Sequence, residues 1–161
     1  MGHDPAKLAV MISGGCRTLL NLADRIDAGD LPASIVVVIA SGPCAGAERA
    51  RARGFETLLL PGRIPATLLE STLRARGVDW VVLAGYLKMV EIPPTFAGRV
   101  VNIHPALLPK HGGPGMYGHR VHEAVLKAGD AESGCTVHLC DEVYDRGRIL
   151  RQERVPVLAG D

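Results

Sequence analysis

Ile35-Val36-Val37-Val38-Ile39-Ala40 is a run of six apolar residues, β-branched in all but the last. No polar residue alternates through it, which predicts a strand covered on both faces, as in a parallel sheet. Toward the N-terminus, Leu8-Ala9-Val10-Met11-Ile12 is a second such run. It leads into Ser13-Gly14-Gly15-Cys16-Arg17-Thr18 and then into Leu19, Leu22, Ala23 and Ile26 at helical spacing, so strand, glycine turn and amphipathic helix follow one another. Gly29 to Pro32 reads as a loop. Beyond Ala40, Ala45 to Arg53 reads as a short helix closed by Gly54, Thr57 to Leu60 as a third strand, and Pro65 to Arg76 as a third helix closed by Gly77. Trp80 to Ala84 makes a fourth buried strand. This alternation predicts a single-domain α/β fold with a doubly wound, mostly parallel sheet and ligands beyond the carboxyl ends of its strands.

A fifth strand is predicted at Val100-Val101-Asn102-Ile103-His104, stopped by Pro105. Residues two apart in a strand face the same side, so Asn102 and His104 stand together. His104 is either a satisfied core histidine or an active-site imidazole, with Asn102 correspondingly a strand-end cap or a hydrogen-bonding partner in catalysis. Pro109 to Gly118, with Gly112-Gly113-Pro114-Gly115, is a loop. His119 to Ala128 reads as a helix with Val121, Val125 and Ala128 inward, Gly134 to Cys140 as an alternating strand, and Ile149 to Val157 as a last extended segment.

With 161 residues, 47% apolar and 22% charged, the chain has the composition of one globular domain with a sizeable core. A net charge of +1 gives no electrostatic case for nucleic acid or a membrane surface, so the expected partners are small molecules. A monomer or homodimer is expected. Residues 1 to 7 lack the apolar core of a secretion signal, and no run reaches the roughly 20 residues of a membrane span, so a cytoplasmic location is expected. Cys16, Cys44, Cys135 and Cys140 form no Cys-x-x-Cys pair and are expected as reduced thiols. In a strand Cys135 and Cys140 fall on opposite faces. A metal site would use His119, His122 and His138, with Glu123, but His122-Glu123 is not followed by x-x-His, and no metal is expected. His3 and His111 carry no pattern.

The glycine turn can aim backbone N–H groups and a helix N-terminus at an anion, with Arg17 and Thr18 as further contacts. It can equally serve only to join strand and helix tightly. It matches neither G-x-G-x-x-G nor the P-loop. The Arg49, Arg51, Arg53 series reads as a solvated helix surface. Leu87, Met89 and Val90, in the segment Gly85-Tyr86-Leu87-Lys88-Met89-Val90, suit either a core or a ligand wall.

Asn102-Ile103-His104-Pro105-Ala106-Leu107-Leu108-Pro109 strongly resembles the Asn-Ile-His-Pro-Ser-Leu-Leu-Pro signature of the folate-dependent formyltransferases. Gly46-Ala47-Glu48-Arg49-Ala50 is similar to that family's Gly-x-Glu-Arg-Ala helix. The stretch from His122 through Gly134-Cys135-Thr136-Val137-His138 to Asp141-Glu142-Val143-Tyr144-Asp145-Arg146-Gly147 resembles its second half. The resemblance runs the length of the chain and is closest to members that formylate glycinamide ribonucleotide. It implies transfer of a formyl group from 10-formyltetrahydrofolate to that amine, a step of purine biosynthesis and one-carbon metabolism, on a Rossmann-like N-terminal half.

The resemblance also implies roles. The turn, Ser-Gly-x-Gly-Ser-Asn-Leu in those members, holds the ribonucleotide phosphate, here Gly14, Gly15, Cys16, Arg17 and Thr18, with Cys16 at the second glycine position. Leu87, Lys88, Met89 and Val90, with Asn102 and with Asp141, Glu142, Val143, Tyr144 and Asp145, bind folate. Asn102, His104 and Asp145 are catalytic, and Arg148 replaces the usual proline. Asn102 can donate to the formyl oxygen, protonated His104 can stabilise it and act as general acid, and Asp145 can hold the imidazolium and organise a water. Family members continue beyond Gly160-Asp161 through a helix that helps bind the ribonucleotide, expected to be absent here. Methionyl-tRNA or sugar-amine formyltransferase, formyltetrahydrofolate hydrolase, and a non-catalytic folate- or nucleotide-binding module remain as alternatives.

Overall fold

The computed structural model describes residues 4–161, so His3 and the start of the N-terminal segment lie outside the described residues. The elements are β1 (Ala6–Ile12), α1 (Arg17–Asp27), β2 (Ala33–Ala40), α2 (Ala45–Ala52), β3 (Thr57–Leu59), α3 (Ala66–Arg74), β4 (Trp80–Leu83), a short 3-10 turn (Pro94–Phe96), β5 (Val100–His104), α4 (His119–Ala128), β6 (Glu132–Leu139) and β7 (Ile149–Pro156). The strands form one seven-stranded sheet in the order β3-β2-β1-β4-β5-β6-β7. The expected α/β, mostly parallel fold is the observed one. The 3-10 turn was not expected, because a single turn after Pro93 and Pro94 has no periodicity to read.

Two compact units divide the chain at Val100 and Val101. In the first, β1 pairs in parallel with both β2 and β4, and β2 with β3. The unbroken apolar runs of β1 and β2 are buried on both faces. Leu8, Val10 and Ile12 of β1 and Val38 and Ala40 of β2 join Leu19 of α1 and Ala47 and Ala50 of α2 in one cluster. The alternate residues Ala9, Met11, Val37 and Ile39 are also fully buried, as are the inward Leu69 and Leu73 of α3. The strand order reverses between β1 and β4, the switch point at which such sheets open a crevice.

In the second unit β6 pairs antiparallel with β5 and with β7. Its register sets Asn102 opposite His138 and His104 opposite Thr136. Residues directly opposite in a ladder share a face, so these four polar side chains stand on the same side of the sheet. Among the described residues no helix is long and apolar enough to cross a membrane.

Candidate active site

Within the first unit, the glycine turn is held from two sides. Its outgoing segment is tied to the chain after β4: the Ser13 amide donates to the Gly85 carbonyl at 3.2 Å, and the Leu87 amide donates to Ser13 Oγ at 3.0 Å. From the other side, the Gly46 amide donates to the Gly14 carbonyl at 2.9 Å and Arg49 donates to the Gly15 carbonyl at 3.2 Å. In a trans peptide the carbonyl and the following N–H point in opposite directions. With both carbonyls turned onto α2, the N–H groups of Gly15 and Cys16 therefore point away from it.

Cys16 takes the left-handed conformation, φ 63°, and α1 begins at the next residue. Gly14–Thr18 with Ala84 and Gly85 line a cavity of about 260 Å³. All five residues expected around a phosphate thus border one hollow, with Arg17 exposed at its rim. Burial pushes the Cys16 thiol up despite the neighbouring Arg49, so it stays neutral. Arg49, Arg51 and Arg53 are all exposed, as the solvated-surface reading expects, and Arg49 in addition spends a donor on the turn. Arg53 instead pairs with Asp24 and Asp27 of α1, each at 2.9 Å. Gly46 explains how α2 comes so close: a Cβ there would collide with the Gly14 carbonyl oxygen. Leu87 and Met89 are exposed, 49% and 40%, and so are not core residues, while Val90 is half-buried and Lys88 exposed.

Within the second unit, Asn102, His104 and Asp145 come together, and His138 joins them. With the His138 ring neutral, Asn102 Nδ2 donates to its Nε2 at 3.2 Å, while His138 Nδ1 donates to its neighbour's carbonyl, Leu139, at 2.9 Å. The Asp145 carboxylate faces both rings, Oδ1 lying 3.5 Å from His138 Nε2 and Oδ2 3.5 Å from His104 Nδ1. Oδ2 also accepts the Gly113 amide at 2.9 Å. His104, 3% exposed, donates from Nε2 to the His111 carbonyl at 2.8 Å. Asp141, Glu142, Val143 and Tyr144 are exposed beside Asp145.

The electrostatics follow from these contacts. Burial opposes the charge on Asp145, but His138, the Gly113 amide and His104 together hold its carboxyl below the usual carboxylate range. Burial likewise opposes the charge on His138, yet Asp145, the Leu139 carbonyl and Asp141 outweigh it and raise the imidazole. Burial, reinforced by Asp145 and Asp141, pushes the Cys140 thiol up to about 12, so it is no nucleophile. Among the described residues no group of three or more His, Cys, Asp and Glu side chains is placed to hold a metal, so the set His119, His122, His138 and Glu123 does not assemble.

A hydroxyl organises the loop after β5. Thr136, fully buried, donates to the Ala106 carbonyl at 2.7 Å and accepts from the Leu108 amide at 3.1 Å and from Gln152 Nε2 at 2.9 Å. Gln152 also donates to the Leu108 carbonyl at 2.9 Å. His138, Thr136, Gly113 and the His111 carbonyl are the site groups that sequence reasoning missed or misplaced. The period-2 alternation of β6 was the available signal for the first two.

An amide donor, an imidazole and a carboxylate gathered with no activated nucleophilic side chain suit the movement of an acyl-type group between bound substrates. The chain belongs to the formyl transferase family, which matches residues 6–161. It is 43% identical over 172 residues to the chloroplastic phosphoribosylglycinamide formyltransferase of Arabidopsis thaliana, covering 99% of this chain and 59% of that one. To the phosphoribosylglycinamide formyltransferase of Haemophilus influenzae it is 36% identical, covering 96% and 75% respectively. The crystal structure of glycinamide ribonucleotide transformylase 1 from Symbiobacterium toebii superposes with a TM-score of 0.88 at 35% identity, covering 99% of this chain and 77% of that one. The chain spans only 59% and 53% of the length of the Arabidopsis thaliana and Vigna unguiculata relatives.

Proposed function

We propose that the protein transfers the formyl group of 10-formyltetrahydrofolate to the amine of glycinamide ribonucleotide, a step of purine biosynthesis, with the whole chain acting as a formyltransferase domain. The observation that carries this reading is the contact of Asp145 with His104 and His138 while Asn102 stands directly opposite His138 in the ladder. The names of the relatives support the choice of substrates.

In the proposed reaction the amine lone pair attacks the formyl carbon and the carbonyl π pair moves to oxygen. Asn102 uses one amide N–H on His138 and keeps the second for that oxyanion. His104 has Nε2 committed to the His111 carbonyl, so its working atom is Nδ1, whose N–H when protonated hydrogen-bonds the oxyanion and then passes its proton to the folate nitrogen as the oxyanion re-forms the carbonyl and the C–N bond breaks. The 3.5 Å to Asp145 is longer than a tight hydrogen bond and leaves the Nδ1 proton free to be shared. The proton lost by the amine passes to water held by Asp145 and returns to His104, so the cycle closes.

In this reading the glycine turn and Arg17 take the acceptor phosphate, and the exposed Leu87 and Met89, with Lys88, Val90 and Asp141 to Asp145, take the folate. No metal enters the cycle. Four free thiols favour a reducing compartment, and we place the protein in the cytoplasm as a monomer or homodimer. The test is formyl transfer from 10-formyltetrahydrofolate with glycinamide ribonucleotide, formylatable tRNA, a sugar amine and water as separate acceptors. Turnover with glycinamide ribonucleotide well above the other three is expected. Faster turnover with any of the others, or none at all, overturns the reading.

A further inference from the structure

A main-chain atom decides which face of the His104 ring can work. A carbonyl can only accept, so the 2.8 Å contact to His111 fixes a proton on Nε2 and leaves Nδ1 toward Asp145. That carbonyl belongs to a residue at φ 53°, a conformation non-glycine residues seldom adopt, in a segment with no helix or strand. What holds it there is its own side chain. His111 Nε2 donates to Asp130 Oδ2 at 2.7 Å, and both side chains are largely buried, 16% and 17% exposed. Lys110 caps the other carboxylate oxygen at 2.9 Å. Asp130 is in turn fixed to the end of α4, its amide donating to the Val125 carbonyl at 3.3 Å just after Gly129 closes the helix.

We propose that His111 and Asp130 are positioning residues: their hydrogen bond fastens the His111 carbonyl to α4, and that carbonyl keeps the His104 proton on Nε2 so that Nδ1 is the atom that exchanges protons. The proposal rests on the reading of His104 as the proton donor. A neutral imidazole has one ring proton, and Asp145 is a second acceptor competing for it from the opposite edge. Once the carbonyl swings away, the ring gains more by moving its proton to Nδ1 and turning that N–H onto Asp145, so that Nδ1 no longer accepts the proton returned by water and no longer points its N–H at the substrate. The His111–Asp130 pair borders a cavity of about 440 Å³, so the released loop has room to move.

The test uses the full chain and two readouts. Kinetics of formyl transfer should show Asp130→Ala lowering kcat on the order of 10- to 100-fold, with the KM for donor and acceptor nearly unchanged. Asp130→Asn keeps an acceptor for His111 Nε2–H and should restore most of the rate, while Lys110→Met should behave as wild type. The second readout is the ¹⁵N NMR spectrum of the His104 ring in the free protein, where wild type should show its proton on Nε2 and Asp130→Ala a shift toward Nδ1. His111→Asn tolerates the positive φ but cannot reach Asp130 as the ring does, so it should reproduce the Asp130→Ala spectrum if the alanine variant folds poorly. A His104 ring spectrum unchanged in both variants overturns the proposal whatever the rates do. If wild type transfers no formyl group at all, the functional reading fails and the ring spectrum still decides the positioning.

Discussion

Around the glycine turn after β1, the groups proposed to meet a ligand belong to the backbone, whereas around β5 and β6 they belong to side chains. The turn is shaped by two carbonyls fastened to α2 and by a glycine that lets α2 approach. The second site is an Asn, two His and an Asp whose contacts depend on which ring nitrogens carry protons. A backbone site tolerates replacement of its side chains and ignores pH, but fails when a neighbour's Cβ moves the loop. A side-chain site fails one residue at a time and titrates.

The largest effect expected from this contrast is in the side-chain site. His104→Ala should lower formyl transfer by about 10²- to 10⁴-fold, the usual worth of a positioned acid or base. Asn102→Ala should cost on the order of 3 kcal/mol of barrier by removing one oxyanion donor. Single-turnover rates at saturating substrates measure both, and near-normal turnover of His104→Ala would remove the site assignment altogether.

Gly46→Ala tests the other half. The new methyl meets the Gly14 carbonyl, Cys16 Cβ and Ile12 Cδ1 inside a packed cluster, so roughly 1–3 kcal/mol of stability should be lost. Thermal unfolding gives that cost, and a matching rise in the acceptor KM would tie the turn to the phosphate. An unshifted unfolding midpoint would mean that the turn yields without cost. Smaller again is Arg17→Ala, a rim residue, which should raise the KM for a phosphorylated acceptor about tenfold and leave folate affinity unchanged. Equal losses for both ligands would erase the division of labour.

The smallest effect is a pH signature of the titrating site. Asp145 has a depressed pKa, so the stability its charge adds is present above its ordinary 3.8 and vanishes as pH falls through the lower folded value. His138 has a raised one, so its share is complete below its ordinary 6.5 and is lost as pH rises through the raised value. The advantage of wild type over Asp145→Asn in denaturant midpoint should thus be widest between those two pH values and narrow on either side. A difference flat across that range would mean that Asp145 holds the rings without its charge.

The sequence made one kind of site visible and hid most of the other's support. A two-residue period next to Pro105 sets Asn102 and His104 on one face by local geometry alone, but only the resemblance to the formyltransferases singled them out as catalytic. Their partner His138 lies 36 residues on, and the register that sets it opposite Asn102 follows from how β6 docks, which alternation alone does not determine. The β2 run announced a doubly covered strand, but nothing in the sequence distinguished Arg49, exposed like Arg51 and Arg53, as the one that bonds the turn. The His111 carbonyl and the Gly113 amide are backbone groups, and any residue supplies those. Gly112-Gly113 marked a loop without marking what it touches.

Thr136 shows what such hidden support does over time. Its hydroxyl ties a strand to the Ala106 carbonyl and the Leu108 amide, in a stretch with no regular structure of its own, and Gln152 of β7 locks the same junction. A loop amide usually exchanges its hydrogen for deuterium within fast local openings, while one bonded to a fully buried oxygen waits for the strands to part. The Leu108 amide should therefore exchange on the clock of β6, and the chain just ahead of His111 is, in opening kinetics, a piece of the sheet.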